Sequence, residues 1–159
     1  MLLNKKEFEM SGQVNYLEKA PKLGQEYYYL YIRENLIYSL FKWQDKDFEQ
    51  SWLKNHRLYP TKKDVIKAAE FLKNYLITHK EQLNCLTSGP IYGTKVWYGL
   101  DIDGFSDDYK VMNFNPENEY LQKLLNLSLL YRTSDDLEKA ANLITEALAL
   151  EKKRSKCKL

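Results

Sequence analysis

Cysteine is scarce in this sequence of 159 residues, with Cys85 and Cys157 the only two. Two thiols make no disulfide framework, and a chain of this length can bury enough core without one. A reducing cytosol is the expected compartment. Glycine is scarce too, at six residues. The run Gly89-Pro90-Ile91-Tyr92-Gly93 lacks the Gly-Lys-Ser/Thr element of a phosphate loop and the third glycine of a dinucleotide fingerprint. There are two histidines, and His56 has no second ligand at metal spacing. Long apolar runs are missing, and mean hydropathy is −0.59. No stretch approaches the ~18 residues of a membrane span, so no membrane partner is expected. The opening Met1-Leu2-Leu3-Asn4-Lys5-Lys6-Glu7-Phe8-Glu9 does not read as a secretory leader.

What the chain has is balanced charge and many rings. Lysine and arginine number 24 against 22 acidic residues, a net of +2. That charge is uneven. Residues 151–159 hold five cations and Glu151, and the preceding 150 residues are left slightly acidic. The cations Lys152, Lys153, Arg154, Lys156 and Lys158 form either an arm for nucleic acid or a helix end with a solvated terminus. Aromatic residues make up 14% of the chain, with thirteen tyrosines and three tryptophans.

Two segments match at an offset of 72. Leu58-Tyr59-Pro60-Thr61 through Leu72 shares Leu-Tyr-x-Thr-x-x-Asp and then Lys-Ala-Ala with Leu130-Tyr131-Arg132-Thr133 through Ile144. Thr61 and Thr133 are the expected N-caps of two helices, with Asp64 and Asp136 three residues on. The apolar period after each cap is helical: Val65, Ala68, Ala69, Leu72, Tyr75, Leu76, His79 and Leu83 in one, Leu137, Ala140, Ala141, Ile144, Ala147 and Leu148 in the other. Tyr27–Ile32 with Leu36–Phe41, and Lys95–Leu100 with Tyr109–Phe114, read as two hairpins. A short helix is expected near Asp45, and another with Asn115 as cap and Pro116 in its first turn. The fold class expected is therefore α+β. It has two tandem β-β-(short α)-α units packed as one domain, on an antiparallel or mixed sheet with helices on one face. The divisions are an N-terminal extension (1–24), a first unit (25–86), a second unit (87–150) and a basic tail (151–159).

The order Pro21-Lys22-Leu23-Gly24, then Tyr27-Tyr28-Tyr29, Trp43, Leu58-Tyr59-Pro60-Thr61 and Asp64 to Ala68 resembles a loose group of small phage and prophage accessory proteins. The group places a Pro-Lys-x-Gly segment before a Tyr-rich strand, then a turn opening a Thr-capped helix, then a second aromatic hairpin and capped helix. Here His56-Arg57 stands where the group usually has Gly-Asn. The resemblance implies a mobile-element gene acting in a bacterial cytoplasm on a host factor. It transfers no site residues.

Catalytic chemistry has little to stand on. The loop Asp101-Ile102-Asp103-Gly104-Phe105-Ser106-Asp107-Asp108 fails the calcium-loop template, because Gly104 and Met112 fall at the wrong positions. Cys85 and His79 read as packing residues at a helix end. No catalytic residues, cofactor or metal are expected. The rings remain. With helices on one sheet face, Tyr27, Tyr29, Tyr31, Trp43 and Trp97 are expected on the other, as a surface for a protein partner or for self-association. The alternative is a nucleic-acid-binding accessory protein using the basic tail and stacking rings.

Overall fold

The computed structural model describes residues 14–33, 35–36, 38–99 and 110–156. The Asp101–Asp108 loop and Lys158 lie outside them. The chain runs through β1 (Glu26–Leu30), β2 (Tyr38–Lys42), α1 (Asp47–Lys54), β3 (Leu58–Tyr59), α2 (Lys62–Thr78), α3 (Lys80–Leu83), β4 (Lys95–Tyr98), β5 (Lys110–Asn113), α4 (Glu119–Asn126) and α5 (Ser134–Lys156). It is an α+β fold with antiparallel pairing. The described strands form two sheets rather than one, ordered β2-β1-β3 and β4-β5. Tyr131 bridges to Trp97 where a third strand of the second sheet would lie.

Both threonine caps form as expected. Asp64 N donates to Thr61 Oγ1 at 3.1 Å, and Asp136 N to Thr133 Oγ1 at 3.1 Å. The Asp64 carboxylate accepts from the Thr61 hydroxyl and from Asn15 N. The short helix of the second half starts later than Asn115. Asn115 Oδ1 instead accepts from Glu117 N in a turn, and Asn118 is the cap, accepting from Leu121 N at 3.1 Å.

Strand alternation sends successive side chains to opposite faces, and helices cover both faces of the first sheet. Leu30 joins the main core with Val65, Ala68, Leu72 and Leu76 of α2. Tyr27 and Tyr29 face the other way and are buried with Trp43, Trp52 and Leu58. The lid on that side is α1. Trp52 stacks on Tyr29 with ring centroids 3.8 Å apart and 16° between planes. Glu49 of α1 is buried and holds three donors: the Tyr27 hydroxyl at 2.6 Å, Gln44 N at 2.9 Å and Lys46 N at 3.1 Å. The expectation of helices on one face fails here. A helix of eight residues whose apolar content is Phe48, Trp52 and Leu53 is enough to close the second face.

The backbone bonds of the two halves correspond. Leu17 N donates to Leu58 O and Leu86 N to Leu130 O. Gly24 N donates to Trp43 O and Gly93 N to Phe114 O, each glycine at positive φ in a Pro-x-x-Gly turn. Arg57 N donates to Trp52 O and Leu129 N to Leu124 O. The Tyr59 hydroxyl donates to His56 O and the Tyr131 hydroxyl to Ser128 O. His56 and Ser128 share left-handed φ values of 61° and 64°. Residues 14–18, read from sequence as part of an extension, are thus built into the first unit. Residues 83–86 pair with the second.

Ser128 is fully buried, and its hydroxyl has no hydrogen-bond partner. A left-handed non-glycine residue costs roughly 1–2 kcal/mol, and an unsatisfied buried hydroxyl about as much again. Added chain entropy in the unfolded state offsets part of the gain from glycine. Ser128→Gly is expected to stabilise the fold by about 1 kcal/mol, read as a higher urea midpoint at an unchanged slope.

Candidate functional site

The predicted aromatic surface is taken up by the core. Tyr27 is 0% exposed, Tyr29 1% and Trp43 2%. Tyr31 and Trp97 are half-buried. Tyr31 packs edge-on against Tyr29 at 4.7 Å, with Arg33 4.4 Å over its ring. Trp97 exchanges backbone bonds with Tyr131 at 2.8 and 3.0 Å. These five residues do not converge on an open face, because α1 and the Leu130-Tyr131 segment cover the sides the sequence reading left bare.

The basic tail is equally engaged. Helix α5 continues to Lys156, and Ser155 is buried. Arg154 grips the buried Glu151 through two bonds of 2.9 Å. Lys152 Nζ reaches Leu17 O at 3.5 Å, and Lys156 pairs with Glu18. Burial lowers the Lys152 ammonium from its usual range, with the Lys156 charge adding to the effect. Of the predicted arm, Lys153 and Lys156 are exposed among the described residues, and Lys156 is held in an ion pair. Lys152 and Lys156 strap the segment 14–18 to the fold, and Arg154 holds Glu151 within its own helix.

Cys85 and His79 do not form a nucleophile and base. The buried Cys85 thiol donates to Lys80 O at 3.8 Å, and the His79 ring stacks on Tyr75 at 4.1 Å. Among the described residues no group of three or more His, Cys, Asp or Glu gathers at metal-binding distance. No helix among them is long and apolar enough to cross a membrane.

The structure instead opens a groove of about 420 Å³ between the two units. Leu36 and Tyr38 line it from the start of β2, Ile66 and Ala69 from α2, and Leu127 from the end of α4. Lys73, Glu70 and Lys123 stand on its polar rim with Asn35 and Asn126. Two cations against one anion leave that rim positive. Such a site, apolar with a few convergent polar groups, is the usual form of a binding cleft. The signal in the sequence was Ile66. It is apolar yet falls off the Val65–Ala68–Leu72–Leu76 stripe, and it is 37% exposed.

The corresponding positions of the other half, at the offset of 72, are different in character. Glu138, Asn142 and Thr145 stand for Ile66, Glu70 and Lys73, and Ser51, Lys54 and Asn55 for Lys123, Asn126 and Leu127. The apolar lining is therefore particular to one side and is no requirement of the shared unit. No family model, curated protein or solved structure matches this chain.

Four phenols sit in the two cores. Burial pushes Tyr16, Tyr27, Tyr59 and Tyr131 above the usual phenol value near 10, with the Glu49 bond adding at Tyr27. Below pH 10 both states hold these protons, and stability is unaffected. Above it the unfolded chain ionises while the folded chain does not, so stability is lost as pH rises. The expected loss is about 1.4 kcal/mol per pH unit for each such phenol. Tyrosinate absorbance followed beside circular dichroism checks this. The buried set should ionise only as the fold is lost, in one steep step above the titration of the exposed tyrosines.

Proposed function

We propose that this chain is a non-catalytic protein-interaction module that binds an extended, acidic segment of a partner protein in the groove between α2 and α4. The observation that carries the reading is the one-sided groove. Its apolar lining of Leu36, Tyr38, Ile66, Ala69 and Leu127 has polar counterparts at Glu138 and Asn55 in the matching half. Apolar anchors of the partner would bury against that lining, while its carboxylates meet Lys73 and Lys123. Burying one large aliphatic side chain contributes about 1.5–3 kcal/mol before ordering costs, so two or three anchors supply roughly 3–9 kcal/mol, and the charge contacts at Lys73 and Lys123 must add to them to reach the ~8 kcal/mol of micromolar binding.

The resemblance to phage accessory proteins supports a mobile-element setting and a host factor as the partner, with inhibition of a defence protein as one form of that role. Nucleic-acid binding through the tail draws less support, because Lys152, Arg154 and Lys156 already serve the segment 14–18 and Glu151.

A displayed-peptide selection against the whole chain tests the reading. Selected peptides are expected to carry Leu, Ile or Phe beside Asp or Glu. Their affinity should fall roughly tenfold or more in the Lys73→Glu, Lys123→Glu double variant, about the effect of two charge pairs turned repulsive. Lys153→Glu should leave it unchanged. Peptides that bind all three proteins equally would place the contact elsewhere.

A further inference from the structure

The two units share the main apolar core, Leu72 and Leu76 of one lying in the same cluster as Leu137 and Ile144 of the other, and they are tied at two junctions, one of them covalent. Helix α2 ends at Thr78, and α3 leads through Leu83 and Asn84 into the segment that pairs with the second unit. Asn84 turns the chain there with a left-handed φ of 52°, and its side chain binds Asp136 at the start of α5. At the other junction the end of α5 meets the segment that opens the first unit. Val14 N donates to Ser155 Oγ at 3.3 Å, Lys152 Nζ to Leu17 O at 3.5 Å, and Lys156 pairs with Glu18. Asn15 N then binds Asp64 at the start of α2. Each long helix thus runs into the opening segment of the other unit, once through the backbone and once through hydrogen bonds and an ion pair.

We propose that two copies of this chain exchange units, the first unit of each pairing with the second unit of the other. The same bonds that close one chain on itself close two chains on each other, since unit 1 meets the same surfaces whichever copy supplies unit 2. The difference between the two states is confined to the connection from His79 to Asn84 and to the effective concentration of one unit near the other. For a short linker that concentration is on the order of millimolar. Exchange of like elements is a low-cost route to dimers, and it is characteristic of chains built from like units. The groove gives the exchange a consequence. Its walls come from α2 of one unit and α4 of the other. In the exchanged dimer each groove is built from both copies, and one assembly presents two of them. The exchange stands on the unit contacts alone, and only its consequence for binding rests on the proposed function.

The exposed ion pair supplies the test, with side chains 50% and 54% exposed at Glu18 and Lys156. One full-length chain carries Glu18→Cys and a second carries Lys156→Cys, both with Cys157→Ser; Cys85 is buried and shielded. The two are unfolded together, refolded over a range of concentrations and treated with a short bis-maleimide. A control mixes the same chains after separate refolding. The expected result is covalent heterodimer several-fold above the control, rising with refolding concentration and eluting at dimer mass. Heterodimer no higher than the control at every concentration would overturn the exchange. The exposure of both positions keeps the substitutions out of the core, and circular dichroism of each chain confirms folding beforehand. Peptide affinity per groove is measured separately, so loss of one reading leaves the other standing.

Discussion

Two dipeptides hold the molecule together. Leu58-Tyr59 and Leu130-Tyr131 are buried to 1% exposure or less, and each serves several elements at once. Their backbones take the opening segment of their unit on one side through Leu17 or Leu86 and the first hairpin strand on the other through Tyr28, Tyr29 or Trp97. Their tyrosine hydroxyls tie back to the left-handed residue that ends the short helix. Two residues further on, a threonine caps the long helix. In each unit, four successive residues set the relative positions of a sheet, a short helix, a long helix and the incoming chain. A shift of one residue there would turn the side chains of the pairing strand to the opposite face.

The parts of the fold that depend on local chemistry were legible in the sequence. The Thr61 and Thr133 caps rest on spacing between neighbours, and the hairpins rest on β-rich runs, so neither needs tertiary knowledge. The placement of α1 was not legible. Asp47-Phe48-Glu49-Gln50-Ser51-Trp52-Leu53-Lys54 carries three apolar residues, and what commits it to the sheet is a buried carboxylate. Glu49 reads as a surface residue until its three donors are known. That one helix reversed the reading of Tyr27, Tyr29 and Trp43 from contact surface to core. The tail was misread for a related reason. Lys152, Arg154 and Lys156 are a charge run in sequence, but their partners Leu17, Glu151 and Glu18 include residues well over a hundred positions away.

The groove shows where likeness between the units ends. A fold made of matching parts has matching needs, so positions that serve stability alone tend toward the same chemistry in both halves. Val65 with Leu137, Ala68 with Ala140 and Leu76 with Leu148 follow that rule and are buried in both. Ile66 with Glu138 and Leu127 with Asn55 break it. The departure falls where water has access: Ile66 is 37% exposed, and Leu127 is partly buried against the main core.

The meeting of Val14 with Ser155 has a consequence for how such a fold can travel. Val14 and Ser155, each near one end of the described residues, are hydrogen-bonded to each other. A module that enters and leaves through one doorway can be set into a surface loop of an unrelated protein without stretching its host. The host would feel only a small gap held open at that loop, and the guest would keep its own closure.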